Sequence, residues 1–182
     1  GCHIHFPYKK IVIIFFLPLF LFVSLLILLN DGFPVFYVQE NYGLNHKKFF
    51  LYKFRTMKKN TPELPTEEFS DAKSYILPYG NFLRKYSIDE LPQLINILFG
   101  QMKFIGPRPC MVKNEDIVKK LREEKGIQKI MPGITGWAQV NGRDEISLRK
   151  KTDLDYYYLK NQTIGLDLKI IFITLFKVIF KK

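Results

Sequence analysis

The stretch R-K-Y-S-I-D-E-L-P-Q, Arg84 to Gln93, governs how the rest of the chain is read. It joins two cations, a helix-start signal and the adjacent acids Asp89 and Glu90. Ser87 and Glu90 stand at the S-x-x-E spacing of a capping box, which predicts a helix N-terminus at Ser87. Pro92 suits a first helical turn better than a helix interior. Leu91, Leu94, Ile95 and Leu98 then fall at i, i+3, i+4 and i+7, and Gly100 supplies the stop. On this reading Asp89 lies where backbone N–H groups and the helix dipole keep a carboxylate ionised, a place that also attracts phosphate. A plainer reading uses the same residues: Glu90 as capping partner and Asp89 as a first-turn acid. Acidic pairs recur at Glu67-Glu68, Glu115-Asp116, Glu123-Glu124 and Asp144-Glu145, so the pair alone does not decide.

Upstream, Pro34 to Gln39 and Lys48 to Phe54 are β-branched or aromatic and predict two strands of a hairpin about the turn Asn41 to Asn45. Lys53 and Arg55 would share one strand face. They are either edge-strand cations or phosphate contacts. Asn60 to Ser74 has two prolines and no periodicity and predicts a loop. Tyr79 to Tyr86 predicts a short helix leading into the acidic pair.

Downstream, I-G-P-R-P (Ile105 to Pro109) puts Arg108 between two prolines that fix φ, either a stiff loop presenting one guanidinium or an ordinary turn. Asn114 to Lys125 predicts an amphipathic helix stopped at Gly126. Pro132 to Arg143 carries three glycines, the only Trp and a terminal Arg143, a shaped loop without a dinucleotide or P-loop pattern. Asp153-Leu154-Asp155 could hold a divalent cation on a nucleotide-sugar, or could lie on the polar side of a helix. Leu166 to Lys182 fits a helix with a narrow polar face through Asp167, Thr174, Lys177 and Lys181. It is either a core helix or an interfacial membrane helix.

The N-terminal segment Ile11 to Leu29 contains no charged residue. At about 1.5 Å per residue it could just cross a hydrocarbon core of about 30 Å. No small-residue cleavage site follows, which argues against a signal peptide. A straight span and a bent, re-entrant helix broken at Pro18 both remain. Lys9-Lys10 on one side and a basic remainder on the other favour the bent form, with both ends cytoplasmic.

Lys and Arg number 28 against 17 Asp and Glu, a net charge of +11, which suits a polyanionic partner. No RRM, KH or helix-turn-helix signature supports nucleic acid, and the apolar segment is hard to fit to such a module. Seventeen Phe and ten Tyr beside many Lys point to a membrane interface. Two cysteines make no disulfide framework, and the three histidines have no zinc spacing with them.

Several ordered segments together resemble the bacterial sugar transferase family, the monotopic polyprenyl-phosphate phosphoglycosyl transferases. They are P-V-F-Y-V-Q-E-N-Y-G-L (Pro34 to Leu44), Y-K-F-R-T-M (Tyr52 to Met57), Phe82 to Met102, I-G-P-R-P, P-G-I-T-G-W-A-Q-V-N-G-R, and L-D-Y-Y-Y-L-K-N (Leu154 to Asn161). The resemblance implies a mixed α/β, helix-rich catalytic domain (32–182) behind a re-entrant, helix-break-helix membrane segment (1–31), with amphipathic interfacial helices. It implies transfer of a phospho-sugar from a UDP-sugar to polyprenyl phosphate, with release of UMP. Residue by residue, it makes Asp89 the nucleophile and Mg²⁺ ligand and Glu90 its partner. Arg108 becomes a phosphate contact and Pro18 the break in the membrane helix. Arg84, Lys53, Arg55 and Arg143 are further candidates for phosphate or nucleotide. The expected place is the cytoplasmic face of a bacterial inner membrane, and the donor sugar leans to N-acetylated amino sugars. The rival reading is a basic membrane-anchored binding or scaffold protein without catalysis.

Overall fold

Helix α1 (Pro7–Asp31) opens the chain in the computed structural model, which describes residues 7–61, 72–112, 116–142 and 146–180. It contains Pro18 and continues through it, so the expected helix-break-helix is not seen. Proline removes one backbone hydrogen bond. A helix of 25 residues keeps enough others to carry the gap. From Ile14 to Asp31 it is long and apolar enough to cross a membrane.

Strand β1 (Phe36–Tyr42) and strand β2 (Lys48–Phe54) form the expected hairpin. Its turn holds Asn45 and His46 at positive φ. A short strand, β4 (Cys110–Met111), adds on the other side of β1, giving the order β2-β1-β4. β1 and β4 run antiparallel, with Asn41 opposite Met111 and Tyr42 opposite Cys110. A separate parallel pair joins β3 (Lys103–Ile105) to β5 (Gly133–Thr135). The remaining helices are α2 (Gly80–Lys85), α3 (Gln93–Leu98), α4 (Asp116–Glu124), α5 (Trp137–Val140), α6 (Leu148–Lys160) and α7 (Ile164–Phe180). The fold is mixed α/β and rich in helix, as expected.

The chain divides into two compact units. The first takes the described parts of 1–37 and 52–94. Its core is Val23 and Ile27 of α1, Phe54 of β2 and Leu83 of α2, with Leu19, Phe20, Val35, Phe36, Tyr79, Ile88 and Leu91 around them. Phe20, Phe36 and Phe54 form a ring cluster with centroids 5.0–5.7 Å apart. One face of α1 is thus committed to this core, while Phe15, Phe22, Leu25 and Leu29 are exposed.

The second unit takes the described parts of 38–51 and 95–182. Val140, Tyr158 and Ile170 are its buried centre, with Ile105, Ile130, Trp137, Leu166 and Ile173 packed on them. Asn96, fully buried, donates to the Phe50 carbonyl and to Gln101 Oε1, both at 2.7 Å. Three glycines let β3 and β5 interlock. A Cβ on Gly106 would meet the Met131 carbonyl at 2.5 Å, and one on Gly136 the Gly106 carbonyl at 2.1 Å. A Cβ on Gly133 would meet the Gly106 nitrogen at 2.2 Å.

Helix α7 covers the expected segment, and the structure shows which way its polar stripe faces. Part of its polar stripe turns inward: Asp167 accepts from the Tyr158 hydroxyl at 2.8 Å, and Thr174 Oγ1 lies 2.7 Å from Thr135 Oγ1. Ile164, Leu168, Phe172, Leu175, Phe176, Ile179 and Phe180 face outward. The sequence period finds such a helix but cannot say which of two mostly apolar faces meets the core.

Candidate active site

The acidic pair is positioned by a turn, not by the start of an α-helix. α2 ends at Lys85, and Ser87 then adopts the left-handed conformation (φ 55, ψ 24). Ile88–Glu90 make a 3₁₀ turn, and α3 begins only at Gln93. An N-cap residue needs an extended backbone so that its hydroxyl can reach the next turn's N–H groups. Ser87 does not have it, and its side chain makes no cap bond. The capping box is therefore not formed. The 3₁₀ turn closes through Glu90 N–H donating to the Ser87 carbonyl at 3.2 Å. Its two flanking apolar residues, Ile88 and Leu91, pack into the first unit's core. That packing fixes the turn and sets the direction of Asp89 and Glu90.

Glu90 is 7% exposed, an expensive place for a carboxylate. Lys53 Nζ, itself mostly buried, lies 3.6 Å from Glu90 Oε1 and compensates it. Asp89 is pushed up to about 6, first by burial and then by the negative charge of Glu90. Lys53 and Arg84 pull the other way without prevailing. This reverses the expectation that a helix dipole holds Asp89 ionised: a single 3₁₀ turn supplies little dipole, and desolvation outweighs it.

Arg84 leaves α2 on the exposed side, and its Nε donates to Thr56 Oγ1 at 2.8 Å. Thr56 is buried one residue beyond Arg55, so β2's end anchors the guanidinium that flanks the acids. α2 reaches that position because its first residue is glycine. A Cβ on Gly80 would meet the Thr56 carbonyl at 2.5 Å. Thr56 and Gly80 were not singled out by sequence reasoning. Thr56 lies within the quoted Y-K-F-R-T-M segment, whereas Gly80 gives no signal, because close backbone approach leaves no pattern in sequence.

Arg55 takes a different role from the one expected. It is 6% exposed. Its Nε donates to the Pro34 carbonyl at 2.6 Å, one Nη to the Gly32 carbonyl at 2.7 Å, and the other Nη pairs with the Asp31 carboxylate. The guanidinium locks the end of β2 to the end of α1 and has little left for phosphate. Strand alternation places Lys53 and Arg55 on one face, but the strand ends at Phe54, and the two side chains part. Asp31 is the missed partner.

Arg108 belongs to the second unit and is half-buried. Its loop is stiff through backbone bonds rather than prolines alone: Gly106 N–H donates to the Thr135 carbonyl and Gly133 N–H to the Pro107 carbonyl, each at 2.9 Å. Arg143 lies outside the described residues. The D-x-D pair is structural. Asp155, buried on α6, receives Arg122 Nη at 3.0 Å, and Asp153 pairs with Lys125.

Among the described residues no three carboxylates, histidines or cysteines gather into a metal cage. Asp89 and Glu90 offer hard oxygen donors of the kind Mg²⁺ takes in ones and twos, the rest of its shell coming from water and substrate phosphates. The donor set fits that ion in the presence of a pyrophosphate.

A family model described as bacterial sugar transferase matches residues 4–181. The chain is 42% identical over 166 residues to the uncharacterized sugar transferase EpsL of Bacillus subtilis, covering 87% of this chain and 77% of that one. It is 35% identical over 173 residues to the UDP-glucose:undecaprenyl-phosphate glucose-1-phosphate transferase of Escherichia coli, covering 92% of this chain and 37% of that one. It is 36% identical over 172 residues to a UDP-N-acetylgalactosamine-undecaprenyl-phosphate N-acetylgalactosaminephosphotransferase of Aeromonas hydrophila, covering 91% and 40%. The chain thus spans most of the EpsL relative but only about two fifths of the two named transferases. With the acidic pair, its flanking cations and this match along nearly the whole sequence in hand, the chain belongs to the bacterial sugar transferase family.

Proposed function

We propose that the chain transfers a sugar 1-phosphate from a UDP-sugar to undecaprenyl phosphate, releasing UMP, at the cytoplasmic face of a bacterial inner membrane. The observation that carries this reading is the fixed 3₁₀ turn presenting Asp89 and Glu90 beside Lys53 and Arg84. A carboxylate attacking a pyrophosphate must first overcome the substrate's own negative charge. Arg84, held through its Nε by Thr56, keeps its terminal nitrogens for a phosphate oxygen, a forked contact that Lys cannot reproduce. Asp89 and Glu90 would hold Mg²⁺, whose charge, when the ion is bound, offsets that of the pyrophosphate.

In the first step an Asp89 carboxylate oxygen bonds to the β-phosphorus as the phosphorus bond to the bridging oxygen breaks. UMP leaves with that oxygen. In the second, a phosphate oxygen of the lipid attacks the same phosphorus and the Asp89 carboxylate departs. Dividing the transfer in this way is the familiar use of a carboxylate nucleophile. Lys53 holds Glu90 in place while Asp89 changes charge. Arg108 remains a candidate phosphate contact on the family resemblance.

Helix α1 supports a membrane seat that enters without crossing. Its second half shares a core with Phe54 and Leu83, and Asp31 at its end pairs with Arg55. Driving that half through hydrocarbon would carry the ion pair with it, at a cost of several kcal/mol, about 3 per charge or more. The half before Pro18, about 11 residues or about 16 Å, is too short for a span of about 30 Å. The outward apolar face of α7 offers a second surface for the bilayer interface.

The test is a panel of UDP-sugars, N-acetylated amino sugars first, with undecaprenyl phosphate and Mg²⁺, scored for UMP. Asp89→Asn should release none while melting cooperatively. Release of UDP instead of UMP, or full turnover by the variant, would defeat the reading.

A further inference from the structure

On α2, one turn before the acidic pair, stands a surface that the reaction chemistry leaves unused. Phe82 is 58% exposed, although the neighbouring Leu83 is buried in the core with Val23 and Ile27 of the apolar helix α1. Phe82 and Tyr86 lie four residues apart, the spacing at which helical side chains meet, with ring centroids 4.9 Å apart. Lys85 Nζ sits 5.7 Å from the Tyr86 ring centre. Exposed Arg84 lies between the two rings in sequence, and Tyr86 passes directly into the turn that carries Asp89. Exposed Phe82, set against half-buried Tyr86 and beside exposed Lys85, is poorly suited to the cytosol and well suited to an amphiphile with an anionic head and a hydrocarbon tail.

We infer that Phe82 and Tyr86 receive the head-proximal hydrocarbon of the polyprenyl phosphate, with Lys85 beside its phosphate, and so set the affinity for the acceptor. This rests on the proposed two-step transfer. A lipid phosphate that reaches phosphorus at Asp89 must lead its chain away from a polar site, and the segment adjoining that site offers these rings. Helix α2 shares its core with α1, the helix proposed to seat in the bilayer, so the rings belong to the unit where the lipid resides. Charge complementarity selects the occupant: a neutral lipid or an apolar peptide would leave Lys85 unused.

The experiment uses the full chain in nanodiscs and reads two reactions. Exchange of labelled UMP into UDP-sugar needs only the first step and no acceptor. Complete transfer is measured against undecaprenyl phosphate concentration. Phe82→Ser and Tyr86→Ser should each raise the apparent KM for the lipid about tenfold, the effect of withdrawing part of an aromatic contact. Exchange should stay within about twofold of the parent, and Phe82→Leu should restore most of the lipid KM. An unchanged lipid KM would overturn the inference. So would an equal fall in exchange, which would assign the rings to the donor or to the fold, or loss of the variants from the nanodisc, which would make them an anchor. No exchange by the unsubstituted protein would defeat the two-step reading instead, while the lipid KM values would still judge the rings.

Discussion

Asp89 is held at a cost, and the cost has a measurable sign. Its carboxyl is raised from 3.8 to about 6 in the folded chain, so the folded state binds the proton more tightly than the unfolded one. Stability therefore falls as pH rises from about 4 to about 6 and is level above that. In EDTA, Asp89→Asn should melt above the parent at pH 7.5, by on the order of 1–2 kcal/mol, and the gap should close near pH 4. A variant less stable than the parent at pH 7.5 would show that Asp89 is a structural acid. Glu90 and Lys53 form the second residue-scale test. Lys53→Met leaves Glu90 buried without this cation and should cost about 2 kcal/mol, and adding Glu90→Gln should recover part of it. Strictly additive losses in urea titrations would mean that the two side chains do not act as a pair. Asp89, Glu90, Lys53 and Arg84 were all singled out in the sequence, and the structure brings them together. Arg55 was read for the wrong task because its partners, Asp31 and the carbonyls of Gly32 and Pro34, come from a turn that no periodicity marks.

At the scale of elements, both hairpin strands and the helices around Gly80, Asp116 and Ile164 were legible, because period and stop signals are local, whereas the helix from Leu148 was read only as an alternative around Asp153 and Asp155. The acidic turn was not. Ser87 and Glu90 have capping-box spacing, but Ile88 and Leu91 are drawn into the core with Phe54 and Leu83, and tertiary packing overrides the local signal. Ser87 then takes a backbone that glycine adopts freely. Ser87→Gly should hold or raise stability by up to about 1 kcal/mol, whereas a true N-cap would lose a few tenths. Gly80→Ala works the other way. Its methyl group meets the Thr56 carbonyl, so α2 must shift and take Arg84 with it. The expected cost is about 1–3 kcal/mol, with a fall in UMP release beyond the loss of folded protein, read by activity against circular dichroism. Unchanged activity at full foldedness would mean that Arg84's place does not matter.

For the molecule as a whole, net +11 and a large outward apolar surface belong together. Basic residues suit an anionic leaflet, and Phe172, Phe176 and Phe180 on α7 suit its interior. Phe172→Glu with Phe176→Glu should leave the melting temperature near the parent's, since both side chains face away from Ile170 and its core, while weakening association with anionic vesicles several-fold. Full retention on the vesicles would remove α7 from the membrane surface. Composition pointed to a membrane interface; which face of α7 meets the core depended on long-range packing with Tyr158 and Thr135. The central claim is that Asp89 bonds transiently to phosphorus, and acid-quenched mass spectrometry of the chain mixed with UDP-sugar and Mg²⁺, without lipid, tests it most directly. A phosphosugar mass on the peptide bearing Asp89, absent from Asp89→Asn and discharged by undecaprenyl phosphate, is the result expected. An adduct on another side chain, or none while the lipid-supplied enzyme turns over, would contradict it.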